Sequence, residues 1–215
     1  PEQMVDSLSR GLIDGFCVGE PWNTMAVQSG LGCIAATGYQ VWNNSLEKVL
    51  GVTGQWHRQY PGTHLRLRLA LMEACAWMIE PDNRRAAVQV MAQRDYLNLP
   101  AEVLWPSLSG EFTLARSGPV VDMPHFHVFG RFQAGFPWHS DGERLLREIG
   151  ALVGKELPAD SVAALVQQSY RTDLYREAAG RLAWVAPGSD HRPLNTHAEG
   201  WEMEPGIEMG PDLLL

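Results

Sequence analysis

The chain has 215 residues, of which 45% are hydrophobic and 20% charged, and these proportions exclude disorder as its global state. Its 17 Lys and Arg against 25 Asp and Glu give a formal charge of -8, which repels a phosphate backbone, so no direct nucleic-acid partner is predicted. The longest apolar stretches, 69–72 and 74–79, are separated by Glu73 and are too short to form a transmembrane helix.

The first forty residues alternate between two patterns. Apolar residues at helical spacing predict a helix over 2–12, and Glu20-Pro21 opens a second helix that ends near Gly30. The short apolar segments 13–18 and 33–36, each bounded by turn residues, are predicted to be buried strands. The order helix, strand, helix, strand is typical of a parallel sheet, so the predicted fold class is α/β.

The remaining chain is predicted to be mostly helical. A strand is expected over 47–53, and helices over 56–60, 64–80 with Thr63 as its cap, 84–95 and 100–108. Residues 109–138 contain Gly, Pro and Phe without a period and are expected to be irregular. Three more helices are predicted over 140–153, 159–168 and 172–182, before an extended surface tail over 186–215.

The two ends and the cysteines bear on the compartment. Because the chain begins at Pro1 rather than Met, we expect it to be truncated at both ends, so a missing leader says nothing about export. Cys17, Cys33 and Cys75 form no C-x-x-C pair, which indicates neither a disulfide framework nor a zinc site. Three buried thiols are expected, and they suit a reducing compartment.

Evidence for catalysis is thin. His125 and His127 lie on one face of an extended segment with Asp122 nearby, so a metal-dependent enzyme is one alternative. No further ligands are identifiable, and there is no nucleophile elbow or phosphate-binding glycine loop. The chain is therefore predicted to be no enzyme and to hold no cofactor and no metal.

Two features suit an anion. The helix that begins after Glu20 offers free backbone N-H groups at a strand end, and Trp22 could form a pocket wall. The alternative is that Glu20 caps this helix and Trp22 only packs against it. Lys48 is the second candidate, although most lysines are simply solvated.

In these segments the chain resembles the nitrate- and bicarbonate-binding proteins of bacterial ABC importers (the NrtA and CmpA type) and the related cytoplasmic nitrate sensors (the NasS type). The most specific blocks read GEPWN and EKVLG. The similarity extends in the same order over nearly the whole chain and is carried by residues 3–5, 14–23, 47–53, 60–65 and 173–179.

The resemblance implies part of a two-lobed periplasmic-binding-protein type II fold, with an anion in the cleft. Residues 1–45 would end the second lobe, and 46–185 would cross back and complete the first. Lys48 matches the lysine that contacts nitrate, and Pro1 falls at the edge of the same pocket; Glu20 and Trp22 are second-rank ligand-binding candidates. The chain has Ser45-Leu46 where importers usually have His-Pro, so the geometry of that loop is expected to differ.

The implied function is non-catalytic binding of nitrate or nitrite, with a bicarbonate-binding importer component as the alternative. The partner would be an ABC permease if the protein is exported. It would be an RNA-binding antiterminator if the protein is a cytoplasmic sensor. Trp201 and the segment 207–212 look more like the sensor branch, and the localisation, periplasmic or cytoplasmic, stays open. A pure interaction module is the remaining possibility.

Overall fold

The computed structural model describes residues 2–215, which form ten helices and two antiparallel hairpins. The helices are α1 (Glu2–Ser9), α2 (Trp22–Gln28), α3 (Gly38–Val41), α4 (Gly54–Gln59), α5 (Pro61–Trp77), α6 (Pro81–Met91), α7 (Ala101–Ser109), α8 (His139–Leu152), α9 (Ala159–Ser169) and α10 (Thr172–Arg181). The strands are β1 (Glu111–Thr113), β2 (Val120–Asp122), β3 (Trp201–Glu204) and β4 (Ile207–Met209). Within this described part, no helix combines the length and apolarity that crossing a membrane requires.

The helices predicted from apolar spacing are confirmed, with ends displaced by a few residues. The start of α5 shows why the ends differ. Thr63 was the expected cap, but the helix already begins at Pro61. Proline lacks a backbone N-H, and the first helical turn does not need one.

The three predicted strands are wrong. Residues 13–18, 33–36 and 47–53 form no strand, although Ile34 N donates one hydrogen bond to Leu114 O at 2.8 Å. A strand is stable only beside a hydrogen-bonded neighbour, and among the described residues none of these segments has a partner strand. The strands that do form belong to hairpins, β1 with β2 and β3 with β4.

The chain folds into two compact units. Unit 1 contains Pro1–Val41 and Trp77–Val128, and unit 2 contains Trp42–Ala76 and Phe129–Leu215. Each unit is therefore assembled from two stretches of sequence, with crossings near residues 41, 76 and 128. The expected division at 45 and 185 into parts of two lobes stays a prediction.

Unit 1 is built around α7. Val103, Leu104 and Leu108 of this helix are buried, and α7 packs against α6, α2 and β1. Pro106 lies inside α7 and cannot donate a hydrogen bond to Glu102 O. Gln28 of α2 supplies the missing donor, because its Nε2 atom lies 3.4 Å from that oxygen.

Gly110 ends α7 in a conformation that an L side chain adopts at a cost. Its φ is 85°, and a Cβ atom there would lie 2.5 Å from Met123 O. The same Met123 donates its N-H to Gly110 O at 2.7 Å, so the neighbouring backbone has little freedom to retreat. The close approach of these two backbone segments therefore requires glycine.

We expect Gly110→Ala to lower the free energy of unfolding by about 2–3 kcal/mol, through the positive φ and the backbone clash together. The matched control is Gly180→Ala in α10, where a Cβ would meet no atom within 4 Å. There alanine should stabilise by about 0.5–1 kcal/mol through its helix propensity. Denaturant unfolding of the intact protein checks both values, and a Gly110→Ala protein as stable as the parent would contradict the role of this glycine.

Unit 2 has an aromatic core that the C-terminal hairpin helps to form. Phe136 and Trp138 pack with Ile207 and Met209 of β4, and all four are at most 3% exposed. The alternation of buried and exposed residues in β4 places Ile207 and Met209 on one face, as strand geometry requires. Residues 186–215 were predicted to be an extended surface tail, and this is wrong for the hairpin because its inner face is buried.

Two buried carboxylates fix the rest of this C-terminal segment. Arg192 donates to both carboxylate oxygens of Asp141 in α8, at 3.1 and 3.2 Å. Asp212, which is 1% exposed, accepts hydrogen bonds from the backbone N-H groups of Thr196 and His197 at 2.8 and 2.6 Å. Polar residues that seemed typical of a solvated tail are thus paired inside unit 2.

Candidate functional site

Lys48 lies in an irregular stretch of unit 2, residues 45–53, which we call the Lys48 segment. Its side chain is 79% exposed and forms an ion pair with the carboxylate of the adjacent Glu47. An exposed pair of this kind contributes little to stability and separates easily. The ammonium group is therefore accessible from solution.

The start of the Lys48 segment is anchored on the end of the chain. Asn43 N donates to Leu213 O at 2.9 Å, and Asn44 Nδ2 donates to Pro211 O at 2.7 Å. Trp42 forms an antiparallel bridge with Leu214. These contacts fix the backbone just before residue 45. Their partners, residues 211–214, belong to the segment that was predicted to be an extended surface tail.

The end of the Lys48 segment is anchored by α4. Thr53 caps this helix, because its Oγ1 atom accepts a hydrogen bond from Trp56 N at 3.2 Å. One turn later, His57 Nδ1 lies 2.9 Å from Nδ1 of His64 in α5. The two imidazole rings meet edge to face at a centroid distance of 5.0 Å. The hydrogen bond joins α4 to α5 immediately beyond the Lys48 segment.

His64 is the buried partner of this pair, with 6% exposure. Burial lowers the pKa of His64, and the charges of Arg68, His57 and Arg171 lower it further, whereas Glu177 raises it. The neutral imidazole is therefore favoured at neutral pH. Sequence reasoning missed this pair; its only signal is two histidines seven positions apart on either side of Pro61-Gly62.

Glu20 acts at the start of α2, in unit 1. Pro21 is the N-cap residue, and the Oε2 atom of Glu20 just before it accepts a hydrogen bond from Thr24 N at 3.1 Å, so a carboxylate of the chain itself satisfies a backbone N-H of the first turn. Burial raises the pKa of Glu20, and it outweighs the opposite effect of the hydrogen bonds from Thr24. The sequence-based alternative, that Glu20 caps this helix, agrees with the observed contact.

The other predicted residues are distributed over the chain. Trp22 is half-buried and begins α2 in unit 1, whereas Lys48 belongs to unit 2. The peptide bond between Glu20 and Pro21 is cis. Pro1 lies outside the described residues. Direct ligand contact by Lys48, Pro1, Glu20 and Trp22 stays a prediction.

The alternative metal site has no support in the geometry. His125 packs against Tyr39 at a ring-centroid distance of 5.8 Å, and His127 packs against Phe126 at 4.7 Å. Across residues 2–215, no three His, Cys, Asp or Glu side chains are grouped so that they could hold a metal ion. Asp122 is an exposed residue at the end of β2. These histidines therefore have aromatic packing partners.

The cysteines differ from the expectation of three buried thiols. Cys17 and Cys33 are exposed, and only Cys75 is partly buried. Burial raises the pKa of the Cys75 thiol, which keeps it protonated and unreactive. The expectation failed because Cys17 and Cys33 lie in the two segments that were predicted to be buried strands.

Comparison with known proteins gives consistent matches. A profile of the NMT1-like family matches residues 1–92. The solved structure of the periplasmic nitrate-binding protein NrtA from Synechocystis PCC 6803 superposes on 98% of this chain and 54% of its own, with a TM-score of 0.83 and 27% identity. Nearly the whole of this chain therefore has the α/β fold of that protein, and it corresponds to about half of that protein's length.

Sequence relatives agree with the structural match. The nitrate/nitrite binding protein NrtA of Synechococcus elongatus is 33% identical over 95% of this chain and 46% of its own length. The nitrate import ATP-binding protein NrtC of Synechocystis sp. PCC 6803 is 33% identical over 98% of this chain and 31% of its own length. The bicarbonate transport ATP-binding protein CmpC of Synechococcus elongatus is 41% identical over 60% of this chain and 19% of its own length. The resemblance noted from the sequence is confirmed, and the chain spans less than half of each of these relatives.

Proposed function

We propose that this chain, a homologue of NrtA-type nitrate-binding proteins, forms part of a non-catalytic solute-binding protein whose ligand is nitrate or nitrite. The observation that carries the proposal is the match of 98% of the chain, at a TM-score of 0.83, to a solved protein named for nitrate binding. The sequence relatives named for nitrate and nitrite binding or nitrate import support the same ligand class. Non-catalytic binding agrees with the two names that specify nitrate binding.

Lys48 is the proposed direct contact to the anion. A lysine ammonium offers three donors and a full positive charge to an oxyanion, and among residues 2–215 the exposed side chain of Lys48 has Glu47 as its ion-pair partner. Pro1 is proposed with it at the edge of the same pocket, and Glu20 and Trp22 are second-rank proposals. The observed hydrogen bond of Glu20 to Thr24 N suits a supporting role better than a contact, because its carboxylate would repel an anion.

An ABC transport system is the proposed setting. The relatives named NrtC and NrtA belong by name to nitrate import and nitrate binding, which supports a permease as the partner. The sensor alternative with its RNA-binding antiterminator partner stays a prediction from the sequence. The compartment, periplasmic for an importer component or cytoplasmic for a sensor, depends on which of the two the protein is.

Bicarbonate is the second candidate ligand. The observation in its favour is the CmpC protein, which is 41% identical to this chain over 130 residues and is named for bicarbonate transport. Lys48 favours nitrate, because the resemblance implies that bicarbonate-binding members differ at the lysine position. The two candidates can therefore be separated by which anion, nitrate or bicarbonate, binds to the protein.

A thermal-shift comparison of anions in the intact protein separates the candidates. A ligand present at about a hundred times its Kd stabilises the folded state by about 2.7 kcal/mol, and the midpoint of unfolding rises accordingly. We expect nitrate or nitrite to raise the midpoint and equal concentrations of bicarbonate and chloride to leave it near that of the buffer control. A rise with bicarbonate alone would replace nitrate with the second candidate.

A further inference from the structure

The junction of α4 and α5 holds two imidazoles against each other. His57 Nδ1 and His64 Nδ1 are 2.9 Å apart, and both helices meet at Tyr60, whose carbonyl oxygen accepts from His64 N at 3.0 Å. Trp56 lies edge-on to the His64 ring at 5.8 Å. The geometry is that of a hydrogen bond between two ring nitrogens.

This hydrogen bond depends on the protonation state of both rings. One Nδ1 must carry the proton and the other must offer its lone pair, so the bond forms between two neutral imidazoles or between one neutral and one charged ring. If both rings are charged, two N-H groups face each other at 2.9 Å and the bond cannot exist. Full protonation therefore removes this side-chain hydrogen bond between α4 and α5.

The charged groups around His64 oppose its protonation. Arg68 on its own helix and Arg171 before α10 are cationic, whereas Glu177 on α10 is acidic and acts in the opposite direction. Glu177 is itself engaged by Arg68, whose Nη2 atom lies 2.9 Å from its Oε2 atom. Burial and these cations lower the pKa of His64, so full protonation of the pair requires a pH below the usual histidine range.

The pair is well placed to act on Lys48. The Lys48 segment has no helix or strand of its own between its two anchors, the contacts of residues 42–44 with the chain end and the α4 cap at Thr53. Its position therefore depends on where α4 is held. Among the described residues of α4, His57 makes the side-chain hydrogen bond that ties this six-residue helix to α5.

We propose that His57 and His64 are positioning residues that hold the Lys48 segment in its binding geometry, and that anion binding weakens in acid when this pair becomes fully protonated. The inference rests on the proposed function, because it needs an anion that contacts Lys48. It adds a pH dependence that comes from the protein alone. Nitrate keeps its charge throughout this pH range, and so does a lysine ammonium.

The sign and size of the effect follow from the direction of the shift. The His64 pKa is lower in the folded protein than in the unfolded chain, so the pair is intact at neutral pH and is lost as pH falls through the folded-state value. Only the paired form is competent to bind, so the apparent Kd rises in inverse proportion to the fraction paired. Below the folded-state pKa, this gives about a tenfold rise in Kd per pH unit.

Calorimetric titration of the intact protein with sodium nitrate, from about pH 8 to about pH 4, tests the inference, because this range extends below the usual histidine range. His64→Asn removes the buried titrating ring. His57→Asn is the second variant, because an asparagine amide can present either its N-H or its carbonyl to His64 and so accepts both protonation states. The matched control is His191→Asn, another histidine of unit 2 whose side chain is 55% exposed and pairs with Glu143.

We expect the parent protein and His191→Asn to lose affinity in acid, and His57→Asn and His64→Asn to give flatter profiles. A parent profile independent of pH would overturn the inference. It would also be overturned by variants of either paired histidine that bind nitrate and weaken in acid as steeply as the parent. Absence of nitrate binding at every pH would instead overturn the proposed function, and this inference with it.

Discussion

Replacing Lys48 with alanine in the intact protein is expected to raise the Kd for nitrate by about ten- to a hundredfold. The removed ammonium would supply a charge-assisted hydrogen bond, and such bonds contribute about 1.5–3 kcal/mol. Because the Lys48 side chain is 79% exposed and makes only a surface ion pair, the same change should leave the unfolding midpoint unaltered. Calorimetry with nitrate measures the first quantity and a thermal scan the second.

The chain offers a matched control for this variant, because Lys155 is its only other lysine. Lys155 is exposed just after the turn that follows α8, and it belongs to the same unit 2. Lys155→Ala removes an identical charge from the same unit, so it reports any general electrostatic effect on an anion. Nitrate affinity that is unchanged in Lys48→Ala, or lowered equally in Lys155→Ala, would remove Lys48 from the site.

The largest loss of stability is expected from Asp141→Ala. Asp141 and Arg192 are paired with side chains that are only 5% and 7% exposed, so truncation of the carboxylate leaves a buried guanidinium without its partner. Breaking a buried pair in this way costs about 3–5 kcal/mol. Denaturant unfolding of the intact protein, followed by near-UV circular dichroism, measures the change.

Two further variants distinguish the cost of leaving a buried charge unpaired from the contribution of the ion pair itself. Burial raises the pKa of Asp141 even though the charge of Arg192 opposes the shift, so desolvation outweighs the attraction. The double variant Asp141→Leu with Arg192→Met should therefore be much less destabilised than Asp141→Ala. Arg147→Ala removes a surface pair with Glu143 whose arginine is 60% exposed, and it should cost less than about 1 kcal/mol. A loss after Asp141→Ala no larger than that of Arg147→Ala would contradict the role of the buried pair.

The helices could be predicted from the sequence because their signals are local. Apolar spacing and caps located α8, α9 and α10 to within two residues, since a helix makes its backbone hydrogen bonds within itself. The four-residue α3 escaped prediction because it spans little more than one turn. A segment that short contains no repeat of the helical period.

Strands depend on partners that composition does not reveal. Residues 13–18 and 33–36 have the apolar character of buried strands, yet in the described structure neither pairs in a sheet. Conversely, β1 and β2 have three residues each and show almost no alternation, although Phe112 is buried with 1% exposure. A three-residue strand is too short for a period of two to be recognised.

The candidate site also contains some residues that the sequence could predict and others that it could not. Physical reasoning from the sequence singled out Glu20 as a possible cap, and the hydrogen bond from Thr24 N agrees with that interpretation. Lys48 became the leading candidate only through the resemblance, because nothing local distinguishes it from a solvated lysine. The His57 and His64 contact could not be anticipated, since it requires the turn between α4 and α5 to bring two side chains within 2.9 Å.

Calorimetric titration of the intact parent protein with nitrate at neutral pH tests the central claim most directly. The proposed function predicts saturable binding with one nitrate or nitrite per chain, little competition from chloride, and loss of affinity in Lys48→Ala. Heats indistinguishable from dilution at nitrate concentrations that saturate ordinary solute-binding proteins would contradict it.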